Sequence, residues 1–373
     1  MHRRRGQISI WLAFSIMLLS GGLVSHVQAI PILLGVAGRD AWVAVLVGTP
    51  LFLLWVLLFF YILKQIQGQR LPDWIAREYG VVVSWIFRIG AVLLLFTMGT
   101  YTLEDTTTWA VVTYMQQTPL SVIVVVGVLV SALAAGKGLQ SIAMTSSILL
   151  PVVIVLGYFV MSANTKYKNY HVLFPVLENG WMPVLQGAFY SVAGLIEIWV
   201  LMLYQHHLKK KLRWWQMFLL GLFLVMMTIG PTIGAITEFG PMEAAKQRNT
   251  AFEQWKILRL GQLFQHVDFL SIYQWLCGAF ARVSLSLYLI TDLLNVRKPS
   301  KRYWTILTIS AAMSIIAIQP WSDSQRLAFM TYIQFPASFI FIMVTTLLLA
   351  LAVLIKQLKQ RTNKEAASNE SAG

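Results

Sequence analysis

The sequence predicts an all-α polytopic membrane protein of about ten transmembrane helices. Hydrophobic residues make up 57% of the 373 and charged residues only 12%, about half the charge of an ordinary soluble chain. The mean hydropathy is +0.67. The apolar residues gather into ten stretches, most near the roughly 20 residues that carry a helix across a bilayer. In hydrocarbon a backbone must satisfy its own polar groups, so such runs are helices.

The first span is read over 8–30, between Arg3–Arg5 and Arg39. The second, 41–63, ends at Lys64, and the third, 83–103, follows Arg70 and Arg77. The fourth, 120–135, and fifth, 142–163, flank Lys137. The sixth, 184–204, and seventh, 215–236, flank the run Lys209–Lys211. The eighth, 270–295, and ninth, 303–318, flank Arg297, Lys298, Lys301 and Arg302. The tenth, 327–355, leads to Lys356 and Lys359. Residues 1–363 form one membrane domain, with 364–373 a polar tail; the stretch from Thr362 onward is expected to be disordered.

With the N-terminus in the cytoplasm, 20 of the 29 Lys and Arg residues fall on the inner side and eight on the outer. That is the asymmetry by which loops orient a membrane protein, and it places both termini inside. The net charge of +14 is therefore topology. Basic residues spread over every inner loop do not make a nucleic-acid surface, and no nucleic acid is expected as a partner. Arg3–Arg5, an apolar core and Val27-Gln28-Ala29 resemble a cleavable signal. The apolar stretch continues past that point and nine spans follow, so it is expected to remain as a span.

The single cysteine, Cys277, excludes an internal disulfide. The histidines have no spacing that suits a metal, and there is no phosphate-binding glycine loop. No catalytic constellation stands out, so neither an enzyme nor a cofactor is expected. The long polar interval 238–269 carries Phe252, Trp255, Ile257, Leu258 and Leu260 among charges. It is amphipathic enough to lie on the membrane or to cover the bundle.

Function is sought where the spans are interrupted. Ser20-Gly21-Gly22 lies within the first span; paired glycines either let another helix pack closely or mark a discontinuous helix whose freed backbone binds a small zwitterion. Splitting ten spans into five and five makes the sixth the counterpart of the first. It carries Gly194 and the intramembrane carboxylate Glu197, which is either a hydrogen-bonded structural acid or a functional one. In the third span Thr97, Tyr101 and Glu104 share one helical face, while Asp105 reads as an ordinary outer-end acid. Arg282, with Ser284 nearby in the eighth span, needs a carboxylate such as Glu197 if it is buried, or else snorkels to a surface. Arg88 is expected to snorkel inward.

These residues, with Leu71-Pro72-Asp73-Trp74, Glu78-Tyr79-Gly80, Phe174-Pro175-Val176-Leu177 and Trp321-Ser322-Asp323 in order along the chain, resemble the B subunit of bacterial spore germinant receptors. That family is part of the amino acid–polyamine–organocation transporter superfamily. The likeness runs from Ile8 to about Lys359. The sequence departs from the family pattern at Val27, at Gln140 and at Gln265-His266. The resemblance implies a LeuT-like five-plus-five (5+5) inverted repeat in the spore inner membrane. It implies a sensing subunit that assembles with A and C subunits, contacts membrane lipid and binds a nutrient such as an amino acid. Mapped by position, Ser20, Gly21, Gly22, Thr97, Tyr101, Glu104, Gly194, Glu197, Arg282 and Ser284 would form the ligand site. The alternatives are a proton-coupled amino acid transporter using the same site, and a membrane enzyme or scaffold.

Overall fold

Helices account for nearly all of the computed structural model, which describes residues 7–66, 68–259 and 266–370. Arg3–Arg5, Leu260, Gln265 and the final three residues of the tail lie outside the described residues. Eight helical stretches are long and apolar enough to cross a membrane. Among the described residues there is no sheet; one parallel bridge sets Ile8 beside Leu208.

The chain enters through α1 (Ile10–Leu23), a wide π turn (Val24–Gln28) and α2 (Ala29–Ala37). Ser9 caps α1 by accepting the Leu12 N–H at 3.3 Å. The expected interruption at Ser20-Gly21-Gly22 is therefore displaced: those residues are α-helical, and the winding changes one residue beyond Leu23. The cause lies on both sides of the turn. Pro31 has no N–H to return to the carbonyl four residues earlier, at Val27, and Ser25 Oγ donates to the Gly21 carbonyl at 3.0 Å. Gly38 then turns the chain at φ +53°, a conformation that costs glycine little, into α3 (Ala41–Ile66).

A short amphipathic helix, α4 (Leu71–Tyr79), leads into the 33-residue α5 (Val81–Thr113). Next come α6 (Leu120–Lys137) and α7 (Leu139–Ala163). The following span is α8 (Trp181–Leu195), a tight 3-10 segment (Ile196–Val200) and α9 (Leu201–Tyr204). Beyond it are α10 (Trp214–Phe239), the loop helices α11 (Pro241–Ala244) and α12 (Thr250–Lys256), α13 (Leu270–Leu293) and α14 (Pro299–Ala317). Finally α15 (Asp323–Phe329) passes through a second π turn (Met330–Gln334) into α16 (Phe335–Glu370). Pro336 follows that turn as Pro31 follows the first. The helix of α16 runs on to Glu370, so the tail expected to be disordered from Thr362 is helical over its described part.

The α8/α9 span and α13 are the most enclosed, whereas α6 and α7 are the most peripheral. Small residues set the closest approach. A Cβ at Gly187 of α8 would lie 2.8 Å from Ala44 Cβ of α3, and one at Gly48 of α3 would lie 3.1 Å from the Ala188 carbonyl. Helices in lipid gain from such contact because dispersion rather than water exclusion holds them together.

Polar contacts close both ends. On the face carrying Ile8, Arg70 Nη2 pairs with Asp292 at 3.0 Å, and Gln205 donates to the Gln69 carbonyl at 2.9 Å. Arg88 is buried there rather than snorkelling. It donates to the Leu293 carbonyl at 2.6 Å and to Asp73 at 3.1 Å, closing the end of α13 where carbonyls lack helical partners. On the opposite face α12 covers the bundle, with Phe252 and Trp255 buried.

Candidate functional site

Three interruptions of regular winding meet at Gly194. Its missing side chain leaves room for Phe335 Cε1, Val24 Cγ1 and Ala29 Cβ, which would lie 3.4, 3.6 and 3.7 Å from a Cβ there. Val24 opens the first π turn, Phe335 follows the second, and Gly194 immediately precedes the last residue before the 3-10 segment. Even a methyl group at this position would be in van der Waals contact with all three.

Glu197 lies within the 3-10 segment, and Arg282 Nη1 of α13 donates to its Oε2 at 2.7 Å. Both side chains are about 95% buried (5% and 4% exposed). The pairing that burial demands of Arg282 is thus realised, with the carboxylate the sequence offered. The guanidinium is not fully used: Arg282 Nε, Ser284 Oγ and the Trp199 indole N–H are buried and have no partner among the described residues. Such atoms are uncommon in native interiors, and they often mark a place where water or a ligand sits.

Thr97, Tyr101 and Glu104 do share one face, but it looks toward α14 and α15 rather than toward the first and sixth spans. With Thr100, Trp321 and Phe329 they line a cavity of about 210 Å³. Arg326 of α15 reaches Glu104 at 2.5 Å and Asp323 at 2.7 Å. Arg248, from the loop before α12, donates to the Tyr101 hydroxyl and to Asp105 Oδ1, each at 2.8 Å. Asp105 is therefore not an ordinary helix-end acid: it is buried and ion-paired. Gln28, at the end of the first π turn, also donates to it at 3.5 Å. The pairing of Arg248 with Asp105 and of Arg326 with Glu104 had no local signal in the sequence, because each of those acids lies more than a hundred residues away.

The remaining expected residues separate. Gly21 packs on Leu224 and Gly22 on Met227, both of α10, so neither faces Glu197. Ser20 is buried in α1. Gly22 and His26 line a second cavity of about 300 Å³ between α1, α7, α10 and α13. The ten residues thus fall into a central junction (Gly194, Glu197, Arg282), a polar layer toward α15 (Thr97, Tyr101, Glu104) and a stretch of α1 (Ser20, Gly21, Gly22) whose glycines meet α10, with Ser284 buried in α13. Among the described residues no group of three or more His, Cys, Asp or Glu could hold a metal ion.

Comparison with known proteins is consistent across three levels. The family model described as spore germination protein matches residues 7–326. Spore germination protein XB of Bacillus anthracis is 38% identical over 345 residues, covering 92% of this chain and 96% of that protein. Spore germination protein KB of Bacillus subtilis (strain 168) is 25% identical over 269 residues, covering 68% and 69%. The crystal structure of MhsT in complex with L-phenylalanine superposes with a TM-score of 0.67 at 15% identity, covering 93% of this chain and 89% of that one. The helical bundle is accordingly of the LeuT transporter type. With most of its length matched by the family model and a relative at 38% identity aligned nearly end to end, the chain belongs to the spore germination protein family.

Proposed function

We propose that this chain is the ligand-sensing membrane subunit of a spore germinant receptor. It binds a small nutrient, an amino acid, where broken helices 1 and 6 meet helices 3 and 8, and it works with A and C subunits in the spore inner membrane. The observation that carries the reading is the buried Glu197–Arg282 pair beside the Gly194 junction. An amino acid presents a carboxylate and an ammonium a few bonds apart. Its carboxylate takes the place of Glu197 on Arg282, and its ammonium takes the place of Arg282 on Glu197. Every buried charge keeps a partner, which avoids the roughly 3–5 kcal/mol that follows when one member of a buried pair is left alone. The exchange also parts the 3-10 segment from α13, so the ligand favours one of two arrangements, as a switch requires. Thr97, Tyr101 and Glu104 then belong to the layer above the site rather than to the ligand shell.

The same reading takes the bundle as a single membrane domain of ten crossings in a LeuT-like inverted repeat. The helical stretch Ile10–Ile66 has 57 residues, about 86 Å at 1.5 Å per residue, so it crosses the roughly 30 Å hydrocarbon layer twice. The 19-residue α14 adds the last crossing. It also takes both termini as cytoplasmic, the orientation that the basic loops favour.

The test is amino acid binding to the full chain in lipid nanodiscs. Binding by one or more amino acids, weakened about a hundredfold by Glu197→Gln, supports the site. A ligand held equally by both proteins refutes it. A proton-coupled amino acid transporter is the second reading, favoured by the fold shared with MhsT. Ligand-dependent uptake by vesicles containing this chain alone selects it; binding without uptake selects the sensor.

A further inference from the structure

We infer that the 300 Å³ cavity between α1, α7, α10 and α13 is a separate binding site for an uncharged, largely apolar molecule of about indole size with one hydrogen-bond donor, admitted from the bilayer side. Pro231 interrupts the hydrogen bonding of α10. Proline has no N–H, so the carbonyl four residues earlier, at Met227, loses its helical partner. His26, in the π turn of helix 1, supplies one: its Nδ1 lies 3.2 Å from the Met227 oxygen. A carbonyl oxygen only accepts, so Nδ1 carries the hydrogen. In the uncharged ring Nε2 is then an acceptor, and it has no partner among the described residues. The half-buried imidazole lines the cavity and offers a ligand one acceptor.

The rest of the lining is mostly apolar and shaped by absent side chains; its polar side chains Gln254, Ser271 and Gln274 are committed to the Pro231, Asp268 and Val153 carbonyls. Gly22, Gly157, Gly230, Gly234 and Gly278 all border the cavity. Met161, Met226 and Met227 supply adaptable walls, as methionine does at surfaces that accept varied apolar shapes. One Lys lines the site, and it is committed: Lys168 Nζ donates to the Met161 carbonyl at 3.1 Å and stands 3.8 Å from Glu238. Among the described residues no Asp or Glu is in the lining. A zwitterion would find no free charge of either sign there, and burying one without partners is prohibitive. That separates this cavity from the Glu197–Arg282 junction. The rim residues Tyr158 and Met226 are 62% and 59% exposed on helices at hydrocarbon depth, so the opening faces lipid, where apolar solutes concentrate.

The experiment measures saturable binding of radiolabelled indole to the full chain in nanodiscs, against empty discs. Expected results are saturable binding, a three- to tenfold loss for 1-methylindole, which lacks the donor, and abolition by Gly157→Leu. A Cβ at Gly157 meets only Gln274 Nε2, at 3.6 Å, so that change fills the cavity while sparing the backbone. Unlabelled alanine in excess leaves indole binding unchanged, since a zwitterion has no free charge to meet in this cavity. Binding no greater than to empty discs, equal binding of 1-methylindole, binding that survives Gly157→Leu, or displacement of indole by alanine each overturns the inference.

Discussion

Removing either member of the Glu197–Arg282 pair should cost far more than removing both. The two side chains meet at 2.7 Å and are 4–5% exposed. Breaking such a pair from one side costs about 3–5 kcal/mol, whereas replacing both partners by neutral groups of similar size is often neutral or better. Glu197→Gln and Arg282→Met are each expected within that range, and the double variant within about 1 kcal/mol of the parent. The coupling energy is then at least about 5 kcal/mol. The assay is the unfolding free energy of the four proteins by detergent titration in mixed micelles. Additive losses, equal to the sum of the singles within about 0.5 kcal/mol, would refute the claim that the pair acts as a unit.

Arg248→Gln combined with Arg326→Gln should loosen the face covered by α12, because Asp105 and Glu104 lose their partners. The sole cysteine, Cys277, is buried in α13 and reports it: a water-soluble maleimide should label it at least tenfold faster in that variant, and no faster in Arg70→Gln on the other face. Gly187→Val should force α3 and α8 apart, since even a Cβ there lies 2.8 Å from Ala44; overpacking of this kind costs about 1–3 kcal/mol, read in the same unfolding assay. Glu78, in α4 outside the spans, accepts from Lys356 Nζ at 2.6 Å, which holds its carboxyl below the ordinary range. Its contribution is present above the unfolded carboxyl range and is lost as pH falls through the lowered value. Lys356→Met should remove that acid-side dependence, a change below about 1 kcal/mol for a pair this exposed.

Some of this architecture was legible in the sequence and some was not, for separable physical reasons. The all-helical, apolar character of the chain was legible because hydrocarbon imposes length and apolarity on a crossing helix. The Glu197–Arg282 pair was legible because a charge at that depth needs a partner, and few carboxylates lie within spans. The interruption in helix 1 was misplaced because glycine permits a change of winding without requiring one; the turn forms where Pro31 and Ser25 free and then hold carbonyls. The face shared by Thr97, Tyr101 and Glu104 followed from spacing, but spacing carries no information about which neighbour it meets. Arg248 and Arg326 were missed for the same reason. An arginine in a loop reads as solvated until the fold places a buried acid beside it.

The two closed ends of the bundle differ in kind, and the difference bears on how a ligand reaches the junction. On the face carrying Ile8, backbone is part of the seal: the Ile8 N–H donates to the His207 carbonyl and the Lys209 N–H to the Ile8 carbonyl, each at 2.9 Å, and Arg88 closes the end of α13. Opening it would strand backbone groups at a helix end. On the other face the seal is made by side chains, with Arg248 and Arg326 reaching from a loop and from the short α15. Losing one partner of such a pair is costly, but separating both into water is not, because rehydration returns several kcal/mol per ion. Ion pairs at a face that can wet are thus weak locks and strong guides. Under the function proposed above, the face covered by α12 is therefore the one expected to open, which with cytoplasmic termini is the side of an external nutrient.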